Sequence, residues 1–234
     1  MTRNTNARIA GFTYLFYAAT GAGLELLMHR ARGAGTGVDA AMLASVGTHA
    51  TDVRLSILLA LLECFSSFVL AVTLYSITRV ENQELAMLGF VCRVAEGLLG
   101  ALTNISSYLV LLWLATAGRG ADTATTTAAQ AFLLRPGASV LIGSIFFAVG
   151  SFIFSYLLLR GRMFPASIAW LGVLATGLLA VTLPLQLAGF GTGPLTGYYQ
   201  WVPSLVFQIV IALWLLIKGV STPAASARNR YALR

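Results

Sequence analysis

Between Leu55 and Ile77 the chain is one apolar run with a single charge, Glu63, inside it. That length matches the roughly 20 residues a helix needs to cross a bilayer. Comparable runs lie at Ile9–Met28, Leu85–Ala117, Ser139–Leu159, Ile168–Leu187 and Val202–Ile217. Lipid offers no hydrogen-bond partners, so a spanning segment must satisfy its own backbone, and a helix does this within one segment. The runs therefore predict an all-α polytopic membrane protein with six transmembrane helices. The third run is longer than a bilayer requires, which predicts tilt or an extension beyond it. Composition agrees, with 58% hydrophobic and 10% charged residues against about 45–50% and 25% in soluble domains.

Charge placement sets the direction. In a six-span topology Arg3, Arg8, Arg79, Arg160, Arg162, Lys218, Arg228, Arg230 and Arg234 fall on one side, and Arg30, Arg32, Arg54, Arg119 and Arg135 on the other. The richer side is expected in the cytoplasm, which places both termini there. Trp113, Tyr198, Tyr199 and Trp201 then fall near the outer interface, and Trp170 and Trp214 near the inner one. Topology thus accounts for the net charge of +7. Nucleic-acid binding is not expected, since no basic face or aromatic–basic motif is present. Residues 1–221 read as one membrane domain and 222–234 as a basic cytoplasmic tail able to touch anionic lipid. Arg3 and Arg8 precede an apolar run as in a signal peptide. No A-x-A-like site follows, so the first helix is expected to be retained.

The loops have content of their own. Asp39 is placed to cap a short helix through Val46, and Thr123–Leu134 reads as another, ending before Arg135-Pro136-Gly137. Both are expected to lie as interfacial helices over the outer mouth. The stretch holding Gly189, Gly191, Gly193 and Gly197 is expected to be irregular, and Pro184 to kink or end the fifth span.

Four charges fall inside the spans: Glu25 in the first, Glu63 in the second, Arg93 and Glu96 in the third. A central charge costs roughly 2.5–3.5 kcal/mol on insertion scales, and such residues tend to face the bundle interior and mark function. Helical spacing groups Gly11, Tyr14, Ala18, Gly21 and Glu25 on one face, Ser56, Glu63 and Ser67 on a second, and Arg93, Glu96, Gly97, Gly100, Asn104 and Ser107 on a third. Gln208 is the polar residue of the sixth span. Counting 1.5 Å per residue puts Glu63, Arg93 and Glu96 near mid-membrane and Glu25 nearer the outer end. Arg93 fits one carboxylate bidentately. Its partner is Glu96, at i+3, or Glu63 across the helix pair. Three carboxylates and one guanidinium leave a surplus near −2, which a proton, a cation or a water-filled cavity must offset.

The resulting expectation is a polar pocket among helices one to three built from Glu25, Glu63, Arg93, Glu96 and Asn104. It would take a small or amphipathic ligand, a lipid headgroup or a proton, with Arg93 as fixed charge and Glu25 at the outer entrance. The alternatives are a purely structural ion-pair network in an accessory or sensory protein, and a transporter or metal-dependent intramembrane enzyme. Transport predicts two related halves, and no internal repeat is visible. For a metal, Glu25, His29, His49 and Asp52 offer mixed nitrogen and oxygen ligands suited to zinc, without a metalloprotease motif. No cofactor is expected. Bis-histidine haem through His29 and His49 is disfavoured, as neither sits in a spanning helix pair. Ser66, Ser67, Ser106, Ser107, Ser151 and Ser155 lack a nucleophile motif and are expected to bond helix carbonyls. Cys64 and Cys92 read as small buried hydrophobes. Phe146, Phe147, Phe152, Phe154 and Tyr156 read as packing or lipid-facing residues, and no spanning lysine exists for a Schiff base.

The order of these polar marks resembles the bacterial membrane family called domain of unknown function 4386. The stretches that carry the resemblance are ARIAGFTYLFY at Ala7–Tyr17, RLSILLALLECFSSFVLAVTLYSI at Arg54–Ile77, FVCRVAEGLLGALTN at Phe90–Asn104, GSIFFAVGSFIFSYLLLRGRMFPASIAWLG at Gly143–Gly172 and ALWLLIKGV at Ala212–Val220. One departure is Ala166 after Pro165, where the family pattern implies a basic residue. The resemblance implies a multi-pass protein of a bacterial cytoplasmic membrane and carries no activity with it.

Overall fold

The computed structural model describes residues 3–33, 40–116, 123–134, 136–190 and 198–220. Eight α-helices account for nearly all of them: α1 (Arg3–Arg32), α2 (Ala40–Thr48), α3 (Ala50–Thr78), α4 (Gln83–Thr116), α5 (Thr123–Leu134), α6 (Pro136–Arg160), α7 (Ala166–Leu187) and α8 (Val202–Ile217), with a short 3-10 turn at Tyr198–Trp201 before α8. No strand occurs among the described residues. The all-α expectation holds. The proposed cap Asp39, the bases Arg119 and Arg135, the glycines Gly191, Gly193 and Gly197, and the tail 222–234 lie outside the described residues.

Local chemistry explains the boundaries. Asn82 starts α4: its side-chain oxygen accepts the Leu85 N–H at 2.9 Å, the N-cap bond that satisfies an otherwise orphaned donor. The end of α6 closes as a Schellman turn. The Met163 N–H reaches the Leu158 carbonyl at 3.1 Å while Arg162 takes φ 48°, a conformation that glycine normally supplies. Pro165 then precedes α7. Pro184 sits inside α7, which stops within a turn at Leu187.

Six long helices form a ring in which each packs on the next: α1 on α3, α3 on α4, α4 on α6, α6 on α7, α7 on α8, and α8 back on α1. Glycines allow the closest approaches. A Cβ at Gly11 would lie 2.7 Å from the Ala212 carbonyl oxygen of α8. A Cβ at Gly97 of α4 would lie 3.0 Å from Ser67 Cβ of α3. The ring holds two main apolar clusters. One gathers Ala10, Tyr14, Leu74, Ile77, Phe154, Met163, Phe207 and Leu215, and the other Met28, Met42, Val46, Val53, Tyr108 and Leu111. Small polar side chains are buried along with these clusters, and large apolar ones cover the outer faces. On α3, Leu58, Phe65, Val69 and Val72 are exposed while Ser56, Ser66 and Ser67 are buried. An exposed apolar surface of this kind marks contact with lipid or a partner.

Among the described residues five helices, within Ala50–Thr78, Gln83–Thr116, Val140–Arg160, Ala166–Leu187 and Tyr199–Ile217, are long and apolar enough to cross a membrane. The helix α4 has 34 residues and is about 51 Å long at 1.5 Å per residue, matching the overlong third run. The first expected span, Ile9–Met28, lies inside α1, which is long enough but falls outside that set. Thr13, Thr20, Gly21, Gly23 and Glu25 lower its mean hydropathy.

Candidate functional site

Between the two apolar clusters the ring carries its charges, and they divide into two zones. The first is dry. Arg93 is completely buried and Glu96 nearly so. The Arg93 Nη1 lies 3.4 Å from Glu96 Oε2, so the guanidinium pairs with the carboxylate one turn along its own helix and not with Glu63. Glu96 is then anchored from two other helices. Tyr17 of α1 donates its phenol proton to Oε1 at 2.7 Å. Ser67 of α3 lies 2.5 Å from Oε2 and 2.8 Å from the Arg93 carbonyl oxygen, with one proton to share between them. Arg93 itself rests between two rings, its Cζ 5.4 Å from the Tyr17 centroid and 5.0 Å from that of Phe147 on α6. Among the described residues, none of its three side-chain nitrogens meets hydrogen-bond geometry. Ion pair and ring faces hold the charge instead, as cation–π contacts do when water is excluded. Gly150 of α6 makes room for the stem: a Cβ there would lie 3.2 Å from Arg93 Cγ.

The second zone is hollow. A cavity of about 730 Å³ lies on the Glu25 side of this ion pair. Tyr17, Gly21, Glu25 and His29 line it from α1, Glu63 from α3, Glu96, Gly100 and Asn104 from α4, Gly143, Ser144 and Phe147 from α6, and Trp201, Leu205 and Gln208 from α8 and the turn before it. Such a volume is in the range of small-molecule sites. Gly100 faces open space, with nothing within 4 Å of an added Cβ. Glu63 projects from α3 against α1, where a Cβ at Gly21 would meet its Oε1 at 3.1 Å. The Phe147 and Trp201 rings pack 6.0 Å apart on the far wall.

Four of the five proposed ligand residues, Glu25, Glu63, Glu96 and Asn104, thus line one cavity, and the fifth, Arg93, lies sealed beside it. The cavity also reaches α6 and α8, beyond the first three helices. Tyr17 escaped the sequence reading, although it lies four residues before Gly21 and eight before Glu25, on one helical stripe. Phe147 and Trp201 carry no such sign, because aromatic residues in a span usually pack or face lipid. Of the metal candidates, Glu25 and His29 line the cavity and His49 and Asp52 do not. The His49 Nδ1 lies 3.0 Å from the Ser45 carbonyl oxygen at the junction of α2 and α3. Among the described residues no group of three or more His, Cys, Asp or Glu side chains is placed to hold a metal ion. Cys64 and Cys92 are free and buried.

A family model described as "Domain of unknown function (DUF4386)" matches residues 9–219. No curated protein and no solved structure matches the chain.

Proposed function

The chain belongs to the DUF4386 family, and from that premise we propose that it is a six-span protein of a bacterial cytoplasmic membrane that binds a small or amphipathic ligand in its intramembrane cavity. The cavity itself carries this reading: carboxylates and an amide converge on about 730 Å³ of unfilled space. A purely structural cluster would be expected to leave no such space, as around Arg93, which Glu96, Ser67 and Tyr17 tie to α1 and α3. Those four hold the helices in register. Glu63, Glu25 and Asn104 face the ligand, and Glu25 stands toward the outer end.

The course of α1 supports six spans. Asn6 donates to Ser76 Oγ at 2.9 Å near one end of α3, and Met28 shares an apolar cluster with Val53 near the other. So α1 runs beside α3 along its length, and the two cross the same thickness. Its charge Glu25 faces the cavity, where a membrane protein tolerates it. Arg3 bonds to the Ile77 carbonyl oxygen and Met163 Sδ, which gathers the basic ends of α1, α3 and α6 on one side. By the positive-inside rule that side is cytoplasmic, with both termini on it. In this orientation α2 and α5 lie at the outer face.

Native mass spectrometry of the detergent-solubilised protein tests the reading. Gly100→Leu should push a branched side chain into the cavity without disturbing the packed ring. The expected result is a co-purifying adduct on the wild-type protein that is lost in the variant at unchanged thermal stability. An adduct retained in full by the variant would place the ligand elsewhere.

A further inference from the structure

Arg93 shows what this interior does with a cation. It is held by one carboxylate, Glu96, and by the faces of two rings, Tyr17 and Phe147. On the cavity side of that ion pair stand Glu63, Glu25 with His29 one turn on, and the Trp201 ring, while the Phe147 ring already carries Arg93. Glu63 makes no hydrogen bond or ion pair among the described residues, and Glu25 stands two turns along α1 from Tyr17. Phe147 and Trp201 form the opposite wall. Since Glu96 is already matched to Arg93, the cavity retains two carboxylates with no fixed positive partner. A ligand that enters is therefore selected for positive charge, and the aromatic wall favours a weakly hydrated organic cation.

The cavity's shape says where such a ligand comes from. α1 and α8 touch backbone to backbone at Gly11 and Ala212. Toward Glu25, Gly21, Leu26 and His29 of α1 and Trp201, Leu205 and Gln208 of α8 and the turn before it line the cavity. Leu26 of α1 and Leu205 of α8, with Val140 of α6, line the cavity and are about half exposed. Exposed apolar side chains at the opening of a spanning bundle suit a hydrocarbon tail.

Resting on the binding function proposed above, we propose that the cavity takes the ammonium head of a cationic amphiphile, with its tail leaving between α1 and α8 into the bilayer. Glu63 is the counter-charge, Glu25 adds long-range attraction, and Phe147 and Trp201 line the head.

The test uses the full chain in dodecyl maltoside, labelled dodecyltrimethylammonium as the probe, and chain-matched dodecanol as the uncharged competitor. Saturable binding is expected. It should weaken at least ~10-fold in Glu63→Gln, since losing one partner of a desolvated charge pair typically costs that much or more. Glu63→Asp should keep most of the affinity, and dodecanol should not displace the probe. No saturable binding, unchanged affinity in Glu63→Gln, or equal displacement by dodecanol would each overturn the ammonium proposal. If, in the last case, Gly100→Leu abolishes binding of both amphiphiles, the cavity still binds a ligand and only its charge was misjudged. If Gly100→Leu binds the probe as tightly as wild type, the cavity reading fails along with the proposal.

Discussion

Glu63 and Gly21 meet across the α1–α3 interface with little room between them: a single added Cβ at Gly21 would sit 3.1 Å from Glu63 Oε1. The absence of a side chain on α1 therefore sets where the carboxylate of α3 lies. Gly21→Ala is expected to displace Glu63 while leaving the fold intact. The atom it meets is the end of a flexible side chain, and alanine adds up to ~1 kcal/mol of helix propensity. Binding of a cationic amphiphile should fall several-fold while the thermal midpoint changes little. A large loss of stability with unchanged binding would show that Glu63 is not positioned this way.

The ion pair of Arg93 and Glu96 should behave differently. Removing one partner of a buried pair leaves a charge uncompensated and costs about 3–5 kcal/mol. Arg93→Met should therefore unfold in detergent at a much lower temperature than wild type. Arg93→Met combined with Glu96→Gln should recover a large part of the loss, because an uncharged pair of similar volume carries no desolvation penalty. Thermal unfolding of the three proteins checks this. Wild-type stability of Arg93→Met alone would mean that water reaches the pair.

Two glycines on the same ring predict opposite outcomes for the same substitution. At Gly11 a Cβ would lie 2.7 Å from the Ala212 carbonyl oxygen and 2.8 Å from the Leu216 nitrogen. These are backbone atoms that cannot turn aside, so Gly11→Ala should cost about 1–3 kcal/mol as overpacking does. At Gly100 the added methyl enters the cavity, and Gly100→Ala should stabilise by roughly 0.5–1 kcal/mol through helix propensity. Unfolding midpoints of the two variants measured side by side decide it. A destabilising Gly100→Ala would mean that the cavity wall is closed.

Arg162 occupies a left-handed conformation at the turn between α6 and α7. Arg162→Gly should therefore be neutral or stabilising, by up to ~1 kcal/mol, since glycine adopts that conformation without a Cβ penalty. A clear drop in the unfolding midpoint would show that the Arg162 side chain itself holds the turn.

Much of the architecture was legible in the residues. Apolar runs of bilayer length located the long helices because a membrane imposes length and apolarity on anything that crosses it. The end of α5 follows from Arg135-Pro136, and the length of α4 from that of its run. The site was legible in part. Spacing put Glu96, Gly100 and Asn104 on one stripe of α4, and the i+3 step pointed to Glu96 as the partner of Arg93. What spacing along a helix does not contain is the rotation of one helix against another. The meeting of Phe147 on α6 with Trp201 before α8, 6.0 Å apart, arises only in the assembled ring. The same rotation separates Arg93, sealed beneath the rings, from Glu63 in the open space, although both sit near the same depth. The first helix shows the converse problem. Its glycines, threonines and Glu25 lower the apolarity by which a span is recognised because they build a packing face and a cavity wall.

An experimental density map of the protein purified from its native membrane, in nanodiscs and with a rigid binding fragment added for size, tests the central claim most directly. The expected result is density in the space bounded by Glu63, Gly100 and Trp201, with Arg93 and Glu96 paired beside it. A map in which α1 and α8 close together and side chains fill that space would contradict the ligand-binding account and leave the charges as a structural network.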